Sequence, residues 1–103
     1  NFVNDYEPVS RFPSVERDIA FVISKDVNIL EIEQIIKQTA RKYLVSLELF
    51  DIYVGEHIKE GHQSLAYRLV FNNKEQTLES SEVDKLMRSV MNRLSHVFKA
   101  EIR

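Results

Sequence analysis

The sequence predicts an α+β fold, a four-stranded antiparallel sheet with two helices on one face. Two helical stripes and a pair of alternating strands predict it. Val83, Leu86, Met87, Val90, Met91 and Leu94 recur at alternating three- and four-residue steps, the signature of one apolar helix face. Ile29, Ile32, Ile36, Ala40 and Tyr43 form a second such stripe. Residues 49–71 read as two period-2 strands joined by a polar loop bounded by Gly55 and Gly61. A short apolar strand before the first helix and another after the second complete the order βαββαβ, the ferredoxin-like arrangement.

Taken in order, residues 1–11 are polar and broken by Pro8, and Pro13 follows Phe12, which predicts an extended arm lying on the domain. Residues 19–23 alternate Ile, Ala, Phe, Val, Ile, so Ile19, Phe21 and Ile23 are expected to face the core and Ala20 and Val22 the other side. Asn28, with Glu31 three residues on, predicts a capped helix running to about Lys42. Strands follow over 46–54 and 63–71, and Asn72-Asn73 signals a turn. In the first of these strands Phe50 and Ile52 are expected inward, and Leu49, Asp51 and Tyr53 outward. In the second, Leu65, Tyr67, Leu69 and Phe71 are expected inward, and Ser64, Ala66 and Arg68 outward. The second helix spans about 80–95 and a last strand 97–102. The first and third strands are expected at the centre of the sheet, in a single domain covering residues 1–103.

Composition narrows the function. With 103 residues, 44% hydrophobic and 29% charged, the chain is of ordinary globular type. No apolar run reaches membrane-spanning length and no signal-peptide pattern is present, so no membrane partner is expected. The absence of cysteine excludes a disulfide scaffold, a thiolate metal site and a cysteine nucleophile, and fits a reducing, cytoplasmic setting. A net charge of -2 argues against a strongly basic, free-standing nucleic-acid binder. It leaves room for a domain that reads bases while other domains hold the phosphate backbone. Beginning at Asn1 rather than Met, the chain is compatible with a piece of a longer protein or with a processed one.

One sheet face is expected to be covered by helices and the other bare. Ala20, Asp51, Tyr53, Ser64, Ala66 and Arg68 are expected on the bare one as candidate RNA contacts, where small neighbours leave the Tyr53 ring unobstructed and Asp51 and Ser64 offer an acceptor and a donor. Unpaired bases are recognised by such a surface, through stacking and then hydrogen bonds to the base edge. A protein-docking or dimerisation face would use the same residues, and alternation alone leaves both readings open. Arg17 and Asp18 read either as a local ion pair at a strand entrance or as a guanidinium aimed at a phosphate or base edge. Lys85, Arg88 and Arg93 lie largely off the second helical stripe and read as a solvated face or, alternatively, as contacts to an RNA backbone.

Catalysis has little support. The chain has no GxSxG elbow, phosphate-binding glycine loop, GxGxxG or HExxH. The segment Ser24-Lys25-Asp26-Val27-Asn28, where ferredoxin-like acylphosphatases place a glycine-rich anion loop, has no glycine. Nothing around Tyr53, Asp51 and Arg68 marks an acid-base group. Glu56, His57, Glu60 and His62 crowd the hairpin loop in a spacing that fits no metal motif and read as a solvated loop.

The segments RFPSVERDIAFVI (11–23), LFDIYVGEHIKEGHQSLAYRLVF (49–71), QTLESSEV (76–83) and AEIR (100–103) together resemble the ferredoxin-fold anticodon-binding domain. That domain ends the beta subunit of bacterial phenylalanyl-tRNA synthetase and also the single-chain organellar enzyme. The resemblance covers nearly the whole chain. Its joint pattern FPSVxRD, LFDxYxGxxIxxGxxSLAxxLxF and TLxxxEV is specific where each piece alone is weak. It implies binding of the phenylalanine tRNA anticodon, with the rest of the beta subunit and the alpha subunit as partners. Aminoacylation, with its ATP and Mg²⁺, would occur in a separate module, so no cofactor is expected in this domain and the domain by itself is expected to be non-catalytic. The family's base-holding aromatic matches Tyr53, its small and polar neighbours match Ala20, Asp51 and Ser64, and its Arg-Asp pair matches Arg17 and Asp18. The sequence departs from the family at Gln76 to Glu79, where RTLT is usual and Ser80 is expected to take over the cap, and at Lys99, where glycine is frequent.

Overall fold

The computed structural model describes residues 12–103; the arm expected over 1–11 lies outside them. The elements are β1 (Val15–Ser24), α1 (Ile29–Thr39), β2 (Leu44–Tyr53), β3 (His62–Phe71), α2 (Ser80–Phe98) and β4 (Glu101–Ile102). The sheet is antiparallel in the order β2-β3-β1-β4, with the first and third strands central, as alternation and element order predicted. The core lies between one sheet face and the two helices. It takes Ile19, Phe21 and Ile23 from β1, Leu65, Tyr67, Leu69 and Phe71 from β3, and Ile32, Ile36, Val83, Val90 and Leu94 from the helices. The Phe21 and Tyr67 rings lie parallel within the core, 6.0 Å between centroids and 8° between planes.

Strand β2 departs from simple alternation. Leu47 and Leu49 pair with Leu69 and Tyr67 on the helix side, whereas Asp51 and Tyr53 pair with Ala66 and Ser64 on the bare side. The parity change occurs at a bulge between Leu49 and Asp51, where Phe50 is the extra residue. Phe50, expected in the core, is therefore 44% exposed, and Leu49, expected outward, packs against the core. The Phe50 ring lies 4.8 Å from the Arg68 guanidinium. Ile52 does pair with core-facing Leu65, yet it is 55% exposed.

The helix ends also differ from expectation. At α1, Asn28 Oδ1 accepts the Leu30 N–H at 2.7 Å, but the helix closes at Thr39, before Lys42. At α2 the cap position is Glu79, not Ser80, and the Glu82 carboxylate accepts the Glu79 N–H at 3.3 Å. This helix continues through Val97 to Phe98, which leaves only Glu101 and Ile102 for β4.

Lys99 ends α2 in the left-handed region, at φ 59° and ψ 33°, with its N–H on Ser95 O at 3.0 Å. A side chain is strained there and glycine is not, which accounts for a glycine at this place in the resembled domain. Lys99→Gly is therefore expected to stabilise the domain by about 0.5–1 kcal/mol, read as a higher urea midpoint.

Tyr67 brings its phenol to the core edge, where it donates to Glu33 Oε2 at 3.1 Å. Burial, and then the facing Glu33 carboxylate, push its pKa above the ordinary 10.0. A group that holds its proton more tightly when folded contributes stability that is complete below its unfolded pKa and is lost as pH rises through the folded value. The domain is thus expected to lose stability above about pH 10, and Tyr67→Phe to flatten that loss, in urea titrations across alkaline pH.

Candidate functional site

The bare face is organised by three antiparallel rows. Tyr53, Ser64, Val22 and Glu101 form the first across all four strands. Asp51, Ala66 and Ala20 form the second, and Arg103 extends it by donating its N–H to Ala20 O at 2.9 Å. Glu48, Arg68 and Asp18 form the third. Ala20 and Ala66 thus make a shallow floor of methyl groups. Tyr53 and Ser64 stand at one end of it, Arg68 at the other, Asp51 on the β2 side and Arg103 on the β4 side.

Tyr53 is 43% exposed and its hydroxyl donates to Glu56 O at 3.2 Å, which draws the ring toward the β2–β3 loop. Gly55 lies under this contact, with a positive φ of 132°, and a methyl group there would meet the Tyr53 hydroxyl at 3.5 Å. The ring is held at its tip by this bond and stays partly exposed on the bare side.

Arg68 is fixed on two sides. Its Nε donates to Asp18 Oδ1 at 3.1 Å and its Nη2 lies 3.5 Å from Oδ2, while the guanidinium stacks over Phe50. The Asp18 hydrogen bond and charge hold the Arg68 proton more tightly than usual. Phe50 was not expected on this face; the bulge that puts it there leaves no mark in the hydrophobic pattern.

Arg17 and Asp18 do not form a pair. Consecutive strand residues point to opposite faces, so Asp18 meets Arg68 on the bare side while Arg17 Nη2 lies 3.6 Å from Asp84 of α2 on the helix side. Of the expected site residues, the fold therefore gathers Ala20, Asp51, Tyr53, Ser64, Ala66 and Arg68 on one face and sends Arg17 to the other.

Ser64 reaches that face but is only 5% exposed, because Arg103 Nη1 donates to its Oγ at 2.9 Å. Sequence reasoning did not single out Arg103. Its signal was available: Glu101 and Arg103 alternate with apolar Ile102, so both share the face of Val22 and Ala20. The β2–β3 loop is tied to the same edge by the Lys59–Glu101 ion pair at 2.7 Å, which draws the Glu101 carboxyl below its usual range. In that loop His62 Nδ1 lies 3.1 Å from Glu60 O, and among the described residues no three histidine, aspartate or glutamate side chains come together as metal ligands. No described helix is long and apolar enough to cross a membrane.

A planar aromatic, a methyl floor, an exposed carboxylate and two guanidiniums on one surface can stack a heteroaromatic ring and hydrogen-bond its edge. The comparisons with known proteins point the same way. The family model for the ferredoxin-fold anticodon binding domain matches residues 10–103. The chain is 40% identical over all of its 103 residues to the phenylalanine–tRNA ligase beta subunit of Acinetobacter baylyi, of which it covers 13%. Over 98 residues, 95% of the chain, it is 42% identical to the subunit of Listeria monocytogenes and 40% identical to that of Bacillus subtilis, covering 12% of each. It thus spans about an eighth of the length of these relatives. The family match and the sequence likeness both extend across the described residues, and the chain belongs to the ferredoxin-fold anticodon-binding domain family.

Proposed function

We propose that the helix-free face binds the anticodon of phenylalanine tRNA and so supports aminoacylation by a catalytic module elsewhere in a parent synthetase. The observation that carries this reading is the exposed Tyr53 ring beside the Ala20–Ala66 floor, with the Asp51 carboxylate next to it. One base stacks on Tyr53 and Asp51 accepts hydrogen bonds from its edge; a guanine edge, with its N–H donors, suits a carboxylate. Phosphate contacts over the rest of the tRNA, the alpha subunit and the ATP and Mg²⁺ chemistry belong to other parts of the parent enzyme.

The edge strand gives protein docking its own place. Val45, Ile52 and Val54 are exposed along and beyond β2, away from the alanine floor, and suit contact with the remainder of a parent chain. A titration of the isotope-labelled chain with a phenylalanine anticodon stem-loop tests the assignment. Amide shifts are expected at Ala20, Asp51, Tyr53 and Ala66 and not on the outer face of α1. Shifts confined to the helices would place RNA elsewhere.

A further inference from the structure

Five carboxylates stand on the helix-free face by register, those of Glu16, Asp18, Glu48, Asp51 and Glu101. Such a surface repels a nucleic-acid strand unless a cation is placed where the strand runs. Two of the nearby cations are already engaged, Arg68 with Asp18 and Lys59 with Glu101. Arg103 is different. The residue is exposed, and among the described residues no side-chain carboxylate lies within ion-pair distance of it. Its backbone is pinned by the Arg103 N–H on Ala20 O, and one guanidinium nitrogen is positioned by Ser64 Oγ, the residue directly opposite Tyr53. The remaining guanidinium donors are left to meet a ligand beside the Tyr53 ring.

We propose that Arg103 contacts the phosphate of the nucleotide stacked on Tyr53, and that Ser64 acts by orienting Arg103 and not by touching the base. This rests on the anticodon reading above and deepens it. A guanidinium fork suits two phosphate oxygens, and a side chain hinged at a paired backbone gives that phosphate a fixed position relative to the ring. The buried Ser64 hydroxyl reaches a base only if Arg103 leaves it, whereas Arg103 needs no rearrangement to reach an incoming phosphate.

The test measures affinity for phenylalanine tRNA against salt in the full-length gene product, for wild type, Arg103→Gln, Arg103→Lys, Ser64→Ala and Tyr53→Ala. Arg103→Gln is expected to weaken binding about tenfold near 0.1 M salt, the scale of one charge-assisted hydrogen bond. It should also lower the magnitude of the slope of log K against log salt by about 0.7, one single-strand phosphate contact. Arg103→Lys should keep the slope and recover part of the affinity. Ser64→Ala should lose less affinity than Arg103→Gln, also with the slope kept. If Tyr53→Ala weakens binding while Arg103→Gln leaves the slope unchanged, the phosphate contact is wrong and the anticodon face survives. A changed preference for the base stacked on Tyr53 in Arg103→Gln at constant slope would likewise overturn it, in favour of base-edge contact. If neither Tyr53→Ala nor Arg103→Gln alters binding, the anticodon face itself fails and the proposal with it.

Discussion

Replacing Phe21 by alanine is expected to destabilise the domain by about 3–5 kcal/mol, the range for removing a large aromatic from a packed core. Phe21 is fully buried on a central strand, with Leu65 and Ile102 beside it across the ladders and the Tyr67 ring parallel to its own. Deleting the ring removes apolar burial and leaves a cavity that two helices and a four-stranded sheet can close only in part. Domains of this size hold roughly 5–15 kcal/mol in total, so one residue carries a large share. A urea titration followed by circular dichroism should show the midpoint fall by about 2 M or the cooperative transition disappear. A midpoint within about 0.5 M of wild type would mean that the ring is not packed as described.

Tyr53→Ala is expected to leave stability nearly unchanged and to weaken phenylalanine tRNA binding by about 1–3 kcal/mol, the scale of one base–aromatic stack. The ring is half out of the structure and contributes a single hydroxyl contact, to Glu56 O, so its loss costs the fold little. Tyr53→Phe separates stacking from orientation. It keeps both ring faces and loses only the bond that draws the ring toward the loop, so binding should fall by less than about 1 kcal/mol. The measurement belongs in the full-length gene product, because a chain of net charge -2 holds RNA weakly without basic neighbours. Unchanged affinity and aminoacylation efficiency in Tyr53→Ala would remove the platform from the site. Unfolding of that variant would instead show the ring to be structural.

The residues of β1 and β3 make their own faces legible, because both strands alternate without interruption and pair with each other from Val15↔Phe71 to Ser24↔His62. The helical stripes do the same for α1 and α2, since burial every three or four residues is written into the order of the chain. Those regularities suffice to place Ala20, Ala66 and Arg68 on the bare face. They also give the right face for Asp51 and Tyr53, although the alternation of the whole strand fails at Leu49 and Phe50. A bulge adds one residue to one strand and costs the sequence no visible mark, so only pairing with β3 could show that Phe50 turns outward to meet Arg68.

Side-chain contacts across strands depend on how the strands assemble. Arg17 and Asp18 are neighbours in sequence, but strand geometry sends them to Asp84 and Arg68 on opposite faces. Ser64 has the outward parity that alternation assigns it, yet its exposure depends on Arg103, a residue 39 positions away that β4 delivers to the same row. Element order, the core and the bare face are therefore legible in the chain itself, because they follow from local periodicity and burial. Which groups on that face are open to a ligand is settled only by strand pairing, because covering a side chain takes a partner from a distant part of the chain.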